Sequence, residues 1–176
     1  MANIKESLVR CGAILYGDFT LASGKKSKYY IDIKKAITDP KILEEVADEM
    51  AHIIEREDIE VDRIAGVVLG SVPLAVALSL RTGIPFIMIR KEPKDHGTGK
   101  LIEGAMEKGM NVLVVEDVVT SAGSAAYAIE VLRQAGAKVD HVLSVVDRQE
   151  GGQEKLESMS TKLHALVTAS DVLGGR

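Results

Sequence analysis

The chain has 176 residues, 46% of them hydrophobic and 27% charged, with a formal net charge of −4 at neutral pH. That is apolar material for one domain with a proper core, and it excludes a disordered chain. The negative balance leaves no broad basic face for nucleic acid. Aromatic residues are 3% of the chain and Trp is absent, so the core must be aliphatic. Cys11 is the single cysteine, which excludes a disulfide framework or a cysteine metal site and suits a reducing cytoplasm. The opening MANIKESLVR lacks the apolar centre of a signal peptide, and no apolar run nears the length of a membrane span. The expectation is a soluble cytoplasmic protein with neither nucleic acid nor membrane as partner.

In chain order, residues 3–13 place Ile4, Leu8 and Cys11 at helical spacing behind Asn3 as a cap. The period then changes. Phe19 and Leu21 alternate with polar residues, Ser23-Gly24 turns, and Tyr29, Ile31 and Ile33 alternate again, which predicts a β-hairpin. "TDPKILEEVADEMAHIIERE" predicts a helix capped by Thr38 or Asp39, with Pro40 in its first turn and Ile42, Leu43, Val46, Met50, Ile53 and Ile54 as its buried stripe. From residue 63 a unit repeats: strand "RIAGVVLG", helix "SVPLAVALSLRTG", strand "PFIMIRK", a Gly- and charge-rich segment to Gly109, strand "MNVLVVED", helix "SAAYAIEVLRQAG", strand "KVDHVLSVVDR", helix "EGGQEKLESMS", and a last short strand and turn in "LHALVTASDVL". Apolar strands alternating with helices mean an α/β fold with a parallel sheet covered on both faces. Its ligand belongs at the carboxyl edge of the strands.

The stretch "VLVVEDVVTSAGSAA" (112–126) runs an apolar strand into Glu116 and Asp117, then into a loop of small and hydroxyl residues, Thr120 to Ser124. Neither a G-x-G-x-x-G after a strand nor a G-x-x-x-x-G-K-[ST] occurs, so the dinucleotide fingerprint and the P-loop are both absent. Backbone N–H groups at the start of the following helix, with the Thr120, Ser121 and Ser124 hydroxyls, suit a phosphate monoester. The two carboxylates need a different partner in the same ligand, and a phosphorylated ribose offers hydroxyls, a divalent cation, or a carbon that turns cationic in reaction. The plainer reading is that Glu116 and Asp117 end a strand in solvent.

Three more segments bear on this. "RKEPKDHGTGK" (90–100) sets Arg90, Lys91, Lys94, His96 and Lys100 among glycines, which suits closure over a polyanion or, equally, an ordinary solvated loop. In "VLGSVPLA" (68–75) Gly70 and Ser71 form a strand-to-helix turn, open either to a second anion or only to a tight turn. Arg148 in "DRQEGG" suits bidentate capture of a planar carboxylate or imide, or an ion pair with Asp147 or Glu150. His52 and His141 read as solvated or capping residues, and His164 and Cys11 as structural. No His/Asp/Glu cluster at metal-ligand spacing appears, so any metal arrives with the substrate, as Mg²⁺ does with polyphosphates.

"VLVVEDVVTSAGS" resembles the phosphoribosyl-diphosphate (PRPP) motif of type I phosphoribosyltransferases. "GDFTLASGKKSKYYID", "RKEPKDHGTGKLIEG" and "DRQEGG" resemble, in order, segments of the orotate phosphoribosyltransferases, and the likeness covers essentially the whole chain. It implies a type I phosphoribosyltransferase core over 36–176, with a small hood built largely from the hairpin region 1–35 and a mobile loop at 91–104, in a single domain 1–176. It implies that orotate and PRPP give orotidine 5′-monophosphate and pyrophosphate, in pyrimidine (UMP) biosynthesis, with Mg²⁺. By the same resemblance Glu116 and Asp117 hold the ribose, residues 118–124 (Val118, Val119, Thr120, Ser121, Ala122, Gly123, Ser124) belong to the PRPP site with the 120–124 loop binding the 5′-phosphate, and Arg90, Lys91, Lys94 and His96 take the pyrophosphate. Lys94, His96, Glu116 and Asp117 form the catalytic set, with the metal carried by PRPP near Asp117. Thr120, Arg148, Lys26 and Tyr30 meet the orotate. A homodimer with loop 91–104 reaching across the interface is also implied. The chain departs from the family pattern at Ala22, at Leu69-Gly70 and at Ala122, where a glycine is expected and the alanine should demand a negative φ. A phosphoribosyltransferase for a purine or uracil, and a non-catalytic PRPP-sensing regulator, are the alternatives.

Overall fold

The computed structural model describes residues 3–21, 24–93 and 99–174; Ala22, Ser23, Lys94 and His96 lie outside them. The chain opens with α1 (Ile4–Arg10), capped by Asn3, whose side chain accepts the Glu6 N–H at 3.2 Å. A hairpin follows, β1 (Ile14–Thr20) and β2 (Lys26–Ile31), with Tyr16 opposite Tyr29 and Thr20 opposite Lys26. The alternation expected to reach Ile33 stops at Asp32. Ile33–Ile37 instead forms the short helix α2, whose Ile33, Ala36 and Ile37 are buried. In α3 (Pro40–Arg56) the Asp39 carboxylate caps the N–H groups of Lys41 and Ile42. Ile42, Val46, Met50, Ile53 and Ile54 of its stripe are buried, and Leu43 packs at the margin.

The remaining elements are β3 (Arg63–Val67), α4 (Val72–Thr82), β4 (Phe86–Ile89), β5 (Ile102–Glu103), β6 (Val112–Val119), α5 (Gly123–Gln134), β7 (His141–Asp147), α6 (Gly152–Ser158), β8 (Lys162–Thr168) and α7 (Ala169–Leu173). The main sheet has the order β5-β4-β3-β6-β7-β8. All its pairings are parallel except β4 with β5, where Met88 faces Glu103 and Ile89 faces Ile102. The sheet is therefore mixed rather than purely parallel. Its antiparallel edge comes from the segment read as loop, because two residues are too few to show a period.

Alternation along β6 feeds two cores. Leu113 and Val115 join Ile64, Leu143 and the helices α3 and α4 on one face, while Val112 and Val114 join Ala65, Val142 and α5 on the other. Each fully buried aliphatic side chain is worth roughly 1.5–3 kcal/mol, so β6 is held firmly from both sides just before its acidic pair. Among the described residues no helix is long and apolar enough to cross a membrane.

Candidate active site

The acidic pair does not end the strand. β6 continues through Glu116 and Asp117 to Val119, with Glu116 opposite Ser144 and Val118 opposite Val146 on β7. Glu116 is 4% exposed, so the solvated strand end is excluded. Its Oε2 accepts from the Ser71 hydroxyl at 2.8 Å, while its Oε1 is buried without a hydrogen-bond partner. Burial raises the Glu116 pKa above the carboxylate norm. The Ser71 and Ser124 hydroxyls and the Lys91 cation pull it back, Ser124 from outside hydrogen-bond geometry. An orphaned carboxylate oxygen in a buried site is costly unless a ligand hydroxyl reaches it.

Asp117 is more open. Its Oδ1 accepts the Val118 N–H at 2.9 Å, and its Oδ2 lies 3.8 Å from Lys34 Nζ on α2. The loop between β3 and α4 runs directly over it. A Cβ on Gly70 would stand 3.3 Å from the same Oδ2, so glycine there lets the backbone approach the carboxylate. The Val68–Leu69 peptide bond in this loop is cis.

Beyond β6, Thr120, Ser121, Gly123 and Ser124 are exposed, whereas Ala122 is buried. Ala122 has φ 62 and ψ 25, in the left-handed region. The expected negative φ is thus overturned: the loop must reverse tightly to start α5, and the alanine bears the strain a glycine would avoid. Ala122 provides no side-chain cap, and the first helical bond returns from Ala126 N–H to the Ala122 carbonyl at 2.8 Å. The N–H groups of the first turn are left for an anion. The loop is backed by Gly152, where a Cβ would fall 2.4 Å from Val119 Cγ1 and 2.7 Å from the Thr120 carbonyl oxygen. The second glycine of "DRQEGG" is therefore a packing requirement of the phosphate-type loop on another strand, invisible at sequence distance.

The basic residues are held by separate partners. Arg148 hangs from β6, its N–H donating to the Val119 carbonyl at 2.9 Å. Its guanidinium lies 5.0 Å from the Tyr29 ring centre and pairs with Glu150 at 2.9 Å, one of the two carboxylates foreseen. On β2 the residues alternate: Tyr29 is buried and faces Arg148, while Tyr30 is exposed and stacks near Phe19 at 5.8 Å. Lys26 donates to Thr20 Oγ1 at 2.7 Å across the hairpin. Arg90 pairs with Glu103 at 3.7 Å. The Tyr127 hydroxyl on α5 donates to the Arg90 carbonyl at 2.8 Å and has the Lys91 carbonyl at 3.2 Å. Among the described residues no group of three or more acidic, His or Cys side chains is arranged to hold a metal.

This geometry sets two adjacent carboxylates, one of them buried, beside the uncapped start of a helix. The model of the phosphoribosyl transferase domain matches residues 34–165. The chain is 52% identical over 167 residues to the orotate phosphoribosyltransferase of Methanosarcina mazei, covering 95% of this chain and 88% of that one. The chain belongs to the orotate phosphoribosyltransferase family. The family member from Aeropyrum pernix superposes with a TM-score of 0.85 at 36% identity, covering 97% of this chain and 96% of that one. The Mycobacterium tuberculosis member, solved in complex with PRPP, superposes at 0.79 with 27% identity over 97% of this chain and 99% of that one.

Within this family frame, sequence reading missed Lys34, Tyr29, Tyr127 and Gly152. Tyr29 had a signal, since the strand's alternation puts it on the face opposite Tyr30. The other three meet the site only through tertiary packing.

Proposed function

We propose that this chain transfers a 5-phosphoribosyl group from PRPP to orotate, giving orotidine 5′-monophosphate and pyrophosphate, a step toward UMP. The observation that carries the site reading is the buried, unpartnered Glu116 Oε1 beside the uncapped start of α5. A ligand answering both presents a hydroxyl and a phosphate on one small scaffold. In the reaction the C1–oxygen bond to pyrophosphate breaks, its electron pair leaves with pyrophosphate, and orotate N1, losing its proton, bonds to the cationic sugar carbon. Glu116 and Asp117 hold the ribose hydroxyls and favour the positive charge in passing. The 120–124 loop takes the 5′-phosphate. Arg148, fixed against Tyr29 and Glu150, orients the carboxylate or imide of orotate. Thr120, Lys26 and Tyr30 complete the base site.

Arg90, Lys91, Lys94 and His96 answer the charge building on pyrophosphate, where one preplaced cation is worth about 3 kcal/mol. Mg²⁺ bound to the diphosphate would neutralise part of its charge, and Asp117 is the carboxylate that would hold the ion. We further propose a cytoplasmic homodimer in which segment 91–104 serves the partner's site. Mixing protein, Mg²⁺, PRPP and orotate should consume orotate absorbance. Turnover with uracil or a purine, and none with orotate, would overturn the assignment.

A further inference from the structure

The helix α2 carries two adjacent lysines that diverge. Burial of Ile33, Ala36 and Ile37 fixes its rotation. Lys35 turns to Gly12, with its Nζ 3.0 Å from where a Cβ of that glycine would stand, and Lys34 turns to Asp117 Oδ2 at 3.8 Å. That separation is too long for a hydrogen bond, and the Lys34 side chain is 72% exposed against 17% for Asp117. A pair this open contributes little to stability. Asp117 does not depend on it for orientation, because its Oδ1 is already held by the Val118 N–H.

Charge then decides what Lys34 is for. The floor of the site presents two carboxylates, Glu116 and Asp117, and both repel an incoming polyanion. The described arginines nearby are engaged, Arg90 with Glu103 and Arg148 with Glu150. Lys34 brings an extended cation to the same Asp117 oxygen that Gly70 leaves accessible.

We propose that Lys34 is a substrate-binding residue of the ribosyl-diphosphate site: its ammonium exchanges Asp117 for an anionic oxygen of the diphosphate, which frees Asp117 for the ribose. This rests on the PRPP reading of the site above. It also gives Lys34 a part in commitment, since the cation that screens Asp117 moves to the leaving group when substrate arrives.

The test compares wild type, Lys34→Met and Lys34→Arg by calorimetric titration with PRPP and Mg²⁺, alongside KM for each substrate and the thermal midpoint. Lys34→Met should weaken PRPP binding by about tenfold or more, with KM for orotate and the thermal midpoint close to wild type. Lys34→Arg should recover most of the affinity. A Lys34→Met protein that binds PRPP as wild type does, or that loses PRPP and orotate equally, would overturn the role of Lys34 alone. Wild type that fails to bind PRPP would remove the site reading itself and this proposal with it.

Discussion

At Ala122 a single methyl group is held at φ 62 while buried to 4% exposure. Placing an L side chain in the left-handed region costs about 1–2 kcal/mol. Against that, burying the methyl returns about 0.8 kcal/mol, and alanine restricts the unfolded chain by about 0.4–1 kcal/mol more than glycine. These nearly cancel. Ala122→Gly should therefore shift stability by no more than about 1 kcal/mol. Ala122→Val adds a β-branched side chain that this φ rejects at a position already buried, so it should cost at least about 2 kcal/mol. Urea midpoints at constant m-value read both; a Val variant as stable as wild type would show that the loop relaxes out of the left-handed region. Nothing local in "TSAGS" reveals the φ of its third residue, because the demand comes from closing the loop between β6 and α5 over Gly152. The chemistry of Glu116 and Asp117, by contrast, was legible, since two acids ending an apolar run before a hydroxyl loop ask for a mixed ligand whatever their φ and ψ.

Elements with a long period were legible and short ones were not. α3 announces itself through Asp39, Pro40 and a six-residue apolar stripe, and β6 and β7 through near-continuous Val and Leu runs that only a sheet buried on both faces needs. α2 has five residues and β5 two, below the length at which a period can be counted, and both owe their existence to neighbours already in place. α5 has a role its amphipathic pattern conceals. It starts at the hydroxyl loop, and one turn on, Tyr127 reaches the carbonyls of Arg90 and Lys91 at the root of the cationic segment. One side chain thus ties that root to the helix that follows the hydroxyl loop. Removing the hydroxyl in Tyr127→Phe deletes a bond worth about 0.5–1.5 kcal/mol while keeping the ring. KM for PRPP should rise roughly 2- to 10-fold with KM for orotate unchanged. Equal KM values for PRPP in variant and wild type would mean the root is held without Tyr127.

Across the whole molecule, the sheet carries buried ionisable groups at both ends, and their pH dependences oppose one another. At the carboxyl edge, burial raises the pKa of Glu116, so its contribution to stability is full below the unfolded value of 4.5 and is lost as pH rises through the folded value. At the opposite edge, His141 and His164 on β7 and β8 lie ring to ring, Nδ1 to Nε2 at 3.0 Å. His164 is 8% exposed, and its pKa is lowered from 6.5 to about 4, chiefly by burial and then by Lys162 and His141; Glu57 opposes this and Arg56 reinforces it. His141 is also lowered by burial, with Asp140 opposing. A histidine kept neutral in the fold stabilises fully above pH 6.5, and that stability is lost as pH falls from 6.5 toward about 4. The shift is on the order of 3 kcal/mol. The histidine pair should therefore lower the wild-type urea midpoint between pH 7 and pH 4.5, with Glu116 acting in the opposite direction. His164→Gln retains a polar group for His141 but cannot titrate, so it should flatten that slope. A slope in His164→Gln as steep as in wild type would place the acid sensitivity outside this pair. Because the histidines sit at the amino edge of the strands, the same variant should leave KM for PRPP and orotate unchanged, so an acid-sensitive fold and the transfer chemistry can be altered independently.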